Sequence, residues 1–482
     1  MNQGNSLVAS QTKSFYAVSA MGIISCVSAA IFGEPFLALI PFGFLFAYLA
    51  LVNYKLIFFG FFVLLPFSIE VTLPGGLGTD LPSEPIMWFL TTLSFILFLW
   101  KGKTIQQRLI TNPISLVLIL HLLWIFICSL MSTYPVISIK FFLAKLWYVI
   151  PFFFLPLLIL NSKKDHQIIF RYFIYTSIIA VAYVMINHAA SGFSFADINF
   201  AVRPIFRNHV NYAALLVLLV PFIWAMSRIT KEKKFLFFLL FFLVAVYFTY
   251  TRAAYGVIFL CVAMYFVIKW KLLKWFVPLA FVVLAYGLNT MIKGNEYLEL
   301  APQYEKTVSH TKFNNLIEAT YKMEDISTME RLYRWVAGFH MVKEKPFFGF
   351  GPSTFYSNYQ RHTVNSFQTY VSDNPEKSGI HNYYLMTLVE QGVFGLIILF
   401  CMILLPLFVA QKAYAQFEGH QGGYWIMAAA LSYFATAVMI LINDLLEADK
   451  VGPLFFLSAS IIAFYAFLVP KPSNINSIID DK

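Results

Sequence analysis

The chain has 482 residues, of which 60% are hydrophobic, 18% aromatic and 12% charged, with a mean hydropathy of +0.72. Soluble domains carry roughly 25% charge and less than half apolar residues, so a water-soluble fold is excluded. At about 20 residues per membrane-spanning helix, some 290 apolar residues fill about 12 to 14 spans and leave little for a separate globular enzyme domain. The net charge of +10 has a meaning only once the positions of Lys and Arg are known.

In chain order, apolar runs bounded by charges or by Pro, Gly and Asn clusters fall at 15–33, 35–52, 54–70, 86–100, 113–131, 146–161 and 168–187. They continue at 212–228, 235–250, 254–268, 276–292, 383–410, 423–443 and 453–469. The expectation is an all-α integral membrane protein of 12 to 14 transmembrane helices with one long, partly helical loop. Residues 1–292 form a transmembrane region, 293–382 a loop domain and 383–482 the C-terminal transmembrane helices. No cleavable signal peptide is expected, because the first apolar run lacks a small-residue cleavage pattern. Cys26, Cys128, Cys261 and Cys401 each sit in an apolar run and read as packing residues.

With a cytoplasmic N-terminus, the basic segments KGKTIQQR, SKKDH, SRITKEKK and KWKLLK all fall inside, as short cytoplasmic loops should. The opposite side receives Glu34, the acidic segment with Glu70, Asp80 and Glu84, and the long stretch from Lys293 to Ile380. The positive charge then follows from orientation and from attraction to anionic membrane lipids, and nucleic acid is not a partner. Both termini are expected in the cytoplasm.

The long stretch reads as ordered. Ser327 to Glu330 has the spacing of a capping box, and Leu332, Trp335, Val336, Phe339 and Val342 then recur at helical spacing. Pro346 and the GFGP turn at 349–352 stop that helix. An amphipathic helix tethered by spans at both ends should lie on the membrane surface or over a cavity mouth.

Charges on the non-cytoplasmic side are costly and so become functional candidates. Arg252 lies in TYTRAAYG between two apolar runs, with almost no loop to carry it into water. Arg203 and Arg207 lie in AVRPIFRNHVNY, just before a helix start. Arg331 and Arg334 open the amphipathic helix, and His381 with Asn382 stands where the long loop rejoins the membrane. Arginine supplies a planar, permanently charged fork that matches phosphate oxygens, and histidine can take a proton from a hydroxyl near neutral pH. Residue type and spacing thus point to an anion-binding site at one membrane face. Each Arg could instead simply snorkel to lipid headgroups, and His381 could be a capping or packing residue.

ERLYRWVAGFHMVKEKPFFGFGPSTF followed by HNYYLMTLVEQGVFGLIILF resembles the signature region of the O-antigen ligase and O-antigen polymerase-like superfamily. It has an Arg four residues before Trp, a Pro-x-x-Gly-x-Gly turn, then His-Asn and Glu-x-Gly-x-x-Gly. TYTRAAYG is similar to the family's Thr-x-Ser-Arg-Gly motif, with Thr251 and Ala253 as departures. RPIFRNHVNYAALL is similar to another family segment, with Arg207 and His209 as departures. The resemblance covers residues 200–400 by motif and the first 200 by hydropathy alone.

The resemblance implies a C-type glycosyltransferase architecture in the bacterial inner membrane, with the active site facing the periplasm. It implies a polyprenyl-diphosphate-linked glycan as donor, a lipid or glycan acceptor such as a lipid A core, inversion at the transferred sugar, and no metal or other cofactor. It assigns diphosphate binding to Arg252 and Arg331 and acceptor activation to His381. Arg203, Arg207, Arg334 and Asn382 follow as substrate-binding residues. Ligase activity is the leading expectation because the long loop falls late in the chain, and polymerase activity is the alternative. A lipid-linked glycan flippase is the rival from another class, but the ninety-residue loop and the lack of an internal repeat count against rocking halves.

Overall fold

The computed structural model describes residues 16, 19–33, 40–72, 78–100, 109–160, 162–292, 326–363 and 379–472. Glu34, the basic segment 101–108, and residues 293–325 and 364–378 of the long hydrophilic stretch lie outside them. The chain divides into two units, residues 1–63 and 64–482. The first carries helix α1 (Ser19–Phe32) and nearly all of α2 (Ile40–Leu64), which kinks at Asn53.

The second unit begins with an antiparallel hairpin, β1 (Ile69–Thr72) and β2 (Gly78–Leu81), in which Glu70 stands directly opposite Asp80. The helices follow: α3 (Ser83–Trp100), α4 (Pro113–Leu130), α5 (Pro135–Ile159), α6 (Lys163–Ala190), α7 (His209–Thr230), α8 (Lys234–Tyr247), α9 (Arg252–Lys269) and α10 (Leu273–Ile292). After the long stretch's helix α11 (Ile326–Glu344) come α12 (Tyr383–Phe417), α13 (Gln421–Met439) and α14 (Gly452–Leu468). Among the described residues, eight helices are long and apolar enough to cross a membrane, and five shorter apolar helices accompany them. The chain is an all-α membrane protein.

Local chemistry explains where these helices begin. Asn112 accepts the N–H of Ser115 ahead of Pro113, Ser162 and Asp165 form a capping box, and Asn208 accepts the N–H groups of Val210 and Asn211. Helix α5 starts at Pro135, well before the apolar run at 146, because Lys145 interrupts the run in sequence yet is fully buried against Glu447 and Tyr383. At the centre, α13 is almost wholly buried and packs on α7, α12, α14 and α9. Phe170 stacks on Phe222, and Tyr433 on Phe455.

The two glycine-containing turns of the sequence form one clasp. Gly392 breaks α12 with φ +69°, and Gly349 sits across from it with φ +67°. A Cβ on Gly349 would lie 2.3 Å from the backbone carbon of Glu390, and one on Gly392 would lie 2.0 Å from the carbonyl oxygen of Phe347. Only glycine permits this approach. The Phe350 and Gly351 N–H groups donate to the carbonyls of Val389 and Glu390, and the buried Glu390 carboxylate accepts from the N–H groups of Ser353 and Phe355. Trp124 Nε1 donates to the Gln391 carbonyl that the break releases. The PFFGFG and EQG motifs are therefore structural: they pin the stretch after α11 onto α12.

Helix α11 buries a different face from the one its hydrophobic pattern picks out. Tyr333, Arg334, Ala337, Gly338 and Met341 are its buried residues, Leu332, Trp335, Val336 and Val342 are half-buried, and Phe339 is exposed. The shift arises because α11 is clamped at Gly338, which rides directly on Ile380 and Val389, and because the face that turns inward carries an arginine. The side chain of Ser327, expected to cap this helix, lies outside the described residues.

Candidate functional site

His381 and Asn382 link the long stretch to α12. Asn382 caps the helix by accepting the Leu385 N–H at 3.0 Å. His381 has φ +55°, a left-handed conformation that costs a non-glycine residue about 1–3 kcal/mol. It is held there by the connection after α13: Asp444 Oδ2 accepts the His381 N–H at 2.9 Å, and the Tyr383 N–H donates to the Ile440 carbonyl at 2.9 Å. Burial, and then the charges of Arg334 and Arg331, hold the imidazole well below its ordinary value, at about 4. His381 is therefore neutral at neutral pH and can accept a proton.

Helix α11 reaches this point through Trp335, whose Nε1 donates to the Ile380 carbonyl at 3.2 Å. Arg331 is half-buried and Arg334 fully buried. Among the described residues none of the three guanidinium nitrogens of Arg334 makes a hydrogen bond, and it forms an ion pair with Glu330 Oε2 at 3.6 Å. A buried guanidinium without hydrogen bonds is costly, so its retention points to an anionic ligand.

Arg252 opens α9, two residues after Tyr250, a left-handed residue whose hydroxyl donates to the Phe193 carbonyl at 2.6 Å. The far end of α9 is fixed by the Leu273 N–H, which donates to Gln411 Oε1 near the C-terminal end of α12. Cys261, midway along α9, donates to the Leu431 carbonyl midway along α13. Arg252 must then lie at the opposite end, beside the end of α13 and the start of α12. It shares one end of the bundle with His381.

Arg203 and Arg207 lie at this end too, in the wall of a cavity of about 470 Å³ that also receives Glu70, Asp80, Glu447 and Asp449. Arg207 Nε is 3.7 Å from Glu70 Oε2 at the exposed rim. Glu447 joins this cavity to the His381 segment: its Oε1 accepts from the Tyr383 hydroxyl at 2.5 Å and pairs with the buried Lys145, while its backbone carbonyl accepts from Tyr148 at 2.6 Å.

Asp444, Glu447 and Lys145 are the residues that sequence reasoning missed. The signal was present in LINDLLEADKVGP, an acidic connection between the last two helices. This segment adds Asp444, Glu447 and Asp449 to the acids Glu34, Glu70, Asp80 and Glu84 that the sequence assigns to the same side. Burial, with Glu447 adding, pushes the Asp444 carboxyl up to about 6 against the His381 and Asn382 N–H groups and Arg334, which pull it down. Among the described residues no three His, Cys, Asp or Glu side chains are placed to hold a metal ion together.

No curated protein matches the chain. Residues 235–400 match the family model described as O-antigen ligase. That segment contains Arg252, the buried face of α11, the Gly349 side of the clasp with its partner Gly392, and His381. Over that segment the match supports the resemblance to the O-antigen ligase and polymerase-like superfamily, and the membrane helices agree with it.

Proposed function

We propose that the chain is a glycosyltransferase that moves a glycan from a polyprenyl diphosphate to an acceptor hydroxyl, with inversion at the transferred anomeric carbon. The observation that carries this reading is Arg334: a fully buried guanidinium, without hydrogen bonds, whose charge acts on a neutral histidine. Arg331 and Arg334 receive the diphosphate, and Arg252 completes the cationic end of the bundle. The acceptor oxygen attacks the anomeric carbon as the bond to the diphosphate oxygen breaks. The leaving diphosphate takes the electron pair, and the hydroxyl proton passes to His381. Fixed guanidinium groups stabilise the negative charge where it develops, without reorganisation at the moment of reaction.

Binding also prepares the base. The charges that depress His381 are those a bound diphosphate would offset, so the imidazole becomes more basic once the donor is in place. Ligase activity, with a lipid A core or other surface acceptor, leads over polymerisation of lipid-linked repeats. The Lys and Arg distribution favours the periplasmic face of the inner membrane for the site.

The test is transfer by the purified protein in detergent from a polyprenyl-diphosphate-linked glycan to a lipid A–core glycolipid, with and without EDTA. The expected result is transfer that survives chelation. Loss of transfer on chelation with recovery by Mg²⁺ or Mn²⁺ would overturn the metal-free mechanism. Absence of transfer to this acceptor and to a second donor molecule would overturn the reading as a whole.

A further inference from the structure

We infer that the cavity between the β1–β2 hairpin, the Arg203–Arg207 turn and the Glu447–Lys450 segment is the acceptor subsite, and that it takes the uncharged, hydroxyl-rich terminal sugar of the acceptor glycan. The inference rests on the transferase reading above and adds the place where the second substrate sits.

Four observations carry it. The cavity, at about 470 Å³, falls in the size range of small-ligand sites and has room for a glycan terminus. Its wall is of mixed charge, with carboxylates of Glu70, Asp80, Glu447 and Asp449 facing guanidinium groups of Arg203 and Arg207. Sugar hydroxyls donate and accept at once, and such a wall offers both partners. A diphosphate would meet four carboxyl groups here, whereas at Arg334 it meets a guanidinium without hydrogen bonds. The two sites thus sort the two substrates by charge.

The hairpin supplies the third observation. Glu70 and Asp80 are direct cross-strand partners, so their side chains share one face. Like charges at that position destabilise a strand pair, and a hairpin shaped only by stability would not keep them. Both line the cavity. The fourth is position: Glu447 lines the cavity and also accepts from Tyr383, two residues after His381. A sugar held there has a short path for presenting a hydroxyl to the imidazole. Lys450 is already bound to the Ser68 carbonyl at 2.8 Å and to Asp449 at 3.1 Å, and so serves to fix the segment.

The test measures initial rates against acceptor concentration at saturating donor, using the lipid A–core glycolipid or, where the wild type polymerises, the lipid-linked repeat itself. The variants are Glu70→Gln and Arg207→Gln, both at the exposed rim where folding is not at stake, and the isosteric Asp80→Asn. Each removes a charged hydrogen-bonding partner, so acceptor KM should rise about tenfold. The affinity for polyprenyl diphosphate, followed by tryptophan fluorescence, should stay at the wild-type value. An unchanged acceptor KM in all three variants, in a protein whose wild type transfers glycan, overturns the subsite. A raised diphosphate Kd in place of a raised acceptor KM assigns the cavity to the donor and overturns it equally. A wild type that transfers to neither acceptor fails the underlying transferase reading, which separates the two failures.

Discussion

The carboxylate of Asp444 accepts the backbone N–H of His381 at 2.9 Å across 63 residues of chain. It thereby couples the connection between the last two helices to the residue proposed as base. Asp444 sets the left-handed turn that aims the imidazole and takes no part in the bond changes. Asp444→Ala should lower kcat for transfer by about 10²-fold through misplacement of the base, with diphosphate affinity retained. Asp444→Asn keeps a side-chain oxygen for the same N–H and should recover much of the loss. Equal loss in both variants would show that the charge of Asp444, and not its grip on His381, matters.

The pH profile follows from the same surroundings. In the free protein, burial and two guanidinium groups hold His381 at about 4, so the acid limb of kcat/KM should lie below pH 5. A bound diphosphate offsets those charges and raises the imidazole, so the acid limb of kcat should lie at higher pH than that of kcat/KM. His381→Ala should abolish both limbs and lower the rate by about 10²- to 10⁴-fold. Coincident limbs would mean that the donor does not sit beside His381.

The hairpin acids give a prediction on stability. Asp80 is pushed up to about 7, chiefly by burial and then by Asp449, with Glu84 and Glu70 adding and Lys450 opposing. A carboxyl whose folded value lies above its unfolded value of 3.8 binds more protons folded than unfolded. Stability is therefore lost as pH rises from about 4 to about 7. Asp80→Asn removes that titration, so its Tm should exceed the wild-type Tm at pH 8, and the gap should close as the pH falls below 4. A gap independent of pH would place its cause elsewhere.

Much of the architecture was legible because the lipid interior demands long apolar helices, and runs of such length are hard to mistake. What escaped were features set by distant partners. Lys145 hid half of α5, since a lysine halts an apolar run unless Glu447, about 300 residues later, neutralises it. The α11 face was misread because its pattern ranked Phe339 above Arg334, and only the seat of Gly338 on Ile380 and Val389 shows which way the helix turns. The candidate site residues stand out by cost: arginine and histidine at a membrane edge need a reason. Asp444 carried the same signal, but its role is a grip on a backbone N–H, and no local spacing announces that.

The clasp should govern folding and not chemistry. Glu390→Ala strips the acceptors from two buried or half-buried N–H groups and should cost about 2–4 kcal/mol. Gly349→Ala meets backbone at 2.3 Å and should all but eliminate folded protein. Thermal unfolding in detergent and folded yield measure both. Normal folding of Glu390→Ala with lost transfer would move Glu390 from scaffold to chemistry.

The last prediction separates the two arginines of α11. Arg334 is buried and its guanidinium makes no hydrogen bond, so in the empty protein it is a cost that the ligand relieves. Arg334→Met has similar length without the charge and should unfold at the same or higher temperature than the wild type, while diphosphate affinity falls at least about tenfold. Arg334→Lys keeps the charge but lacks the planar fork, so transfer should still be strongly impaired. Arg331, half-buried on the preceding turn, can reach water, so Arg331→Lys should leave stability unchanged and also impair transfer if its fork holds a phosphate. A lysine at 334 that binds and transfers normally would mean that the guanidinium serves only the packing of α11.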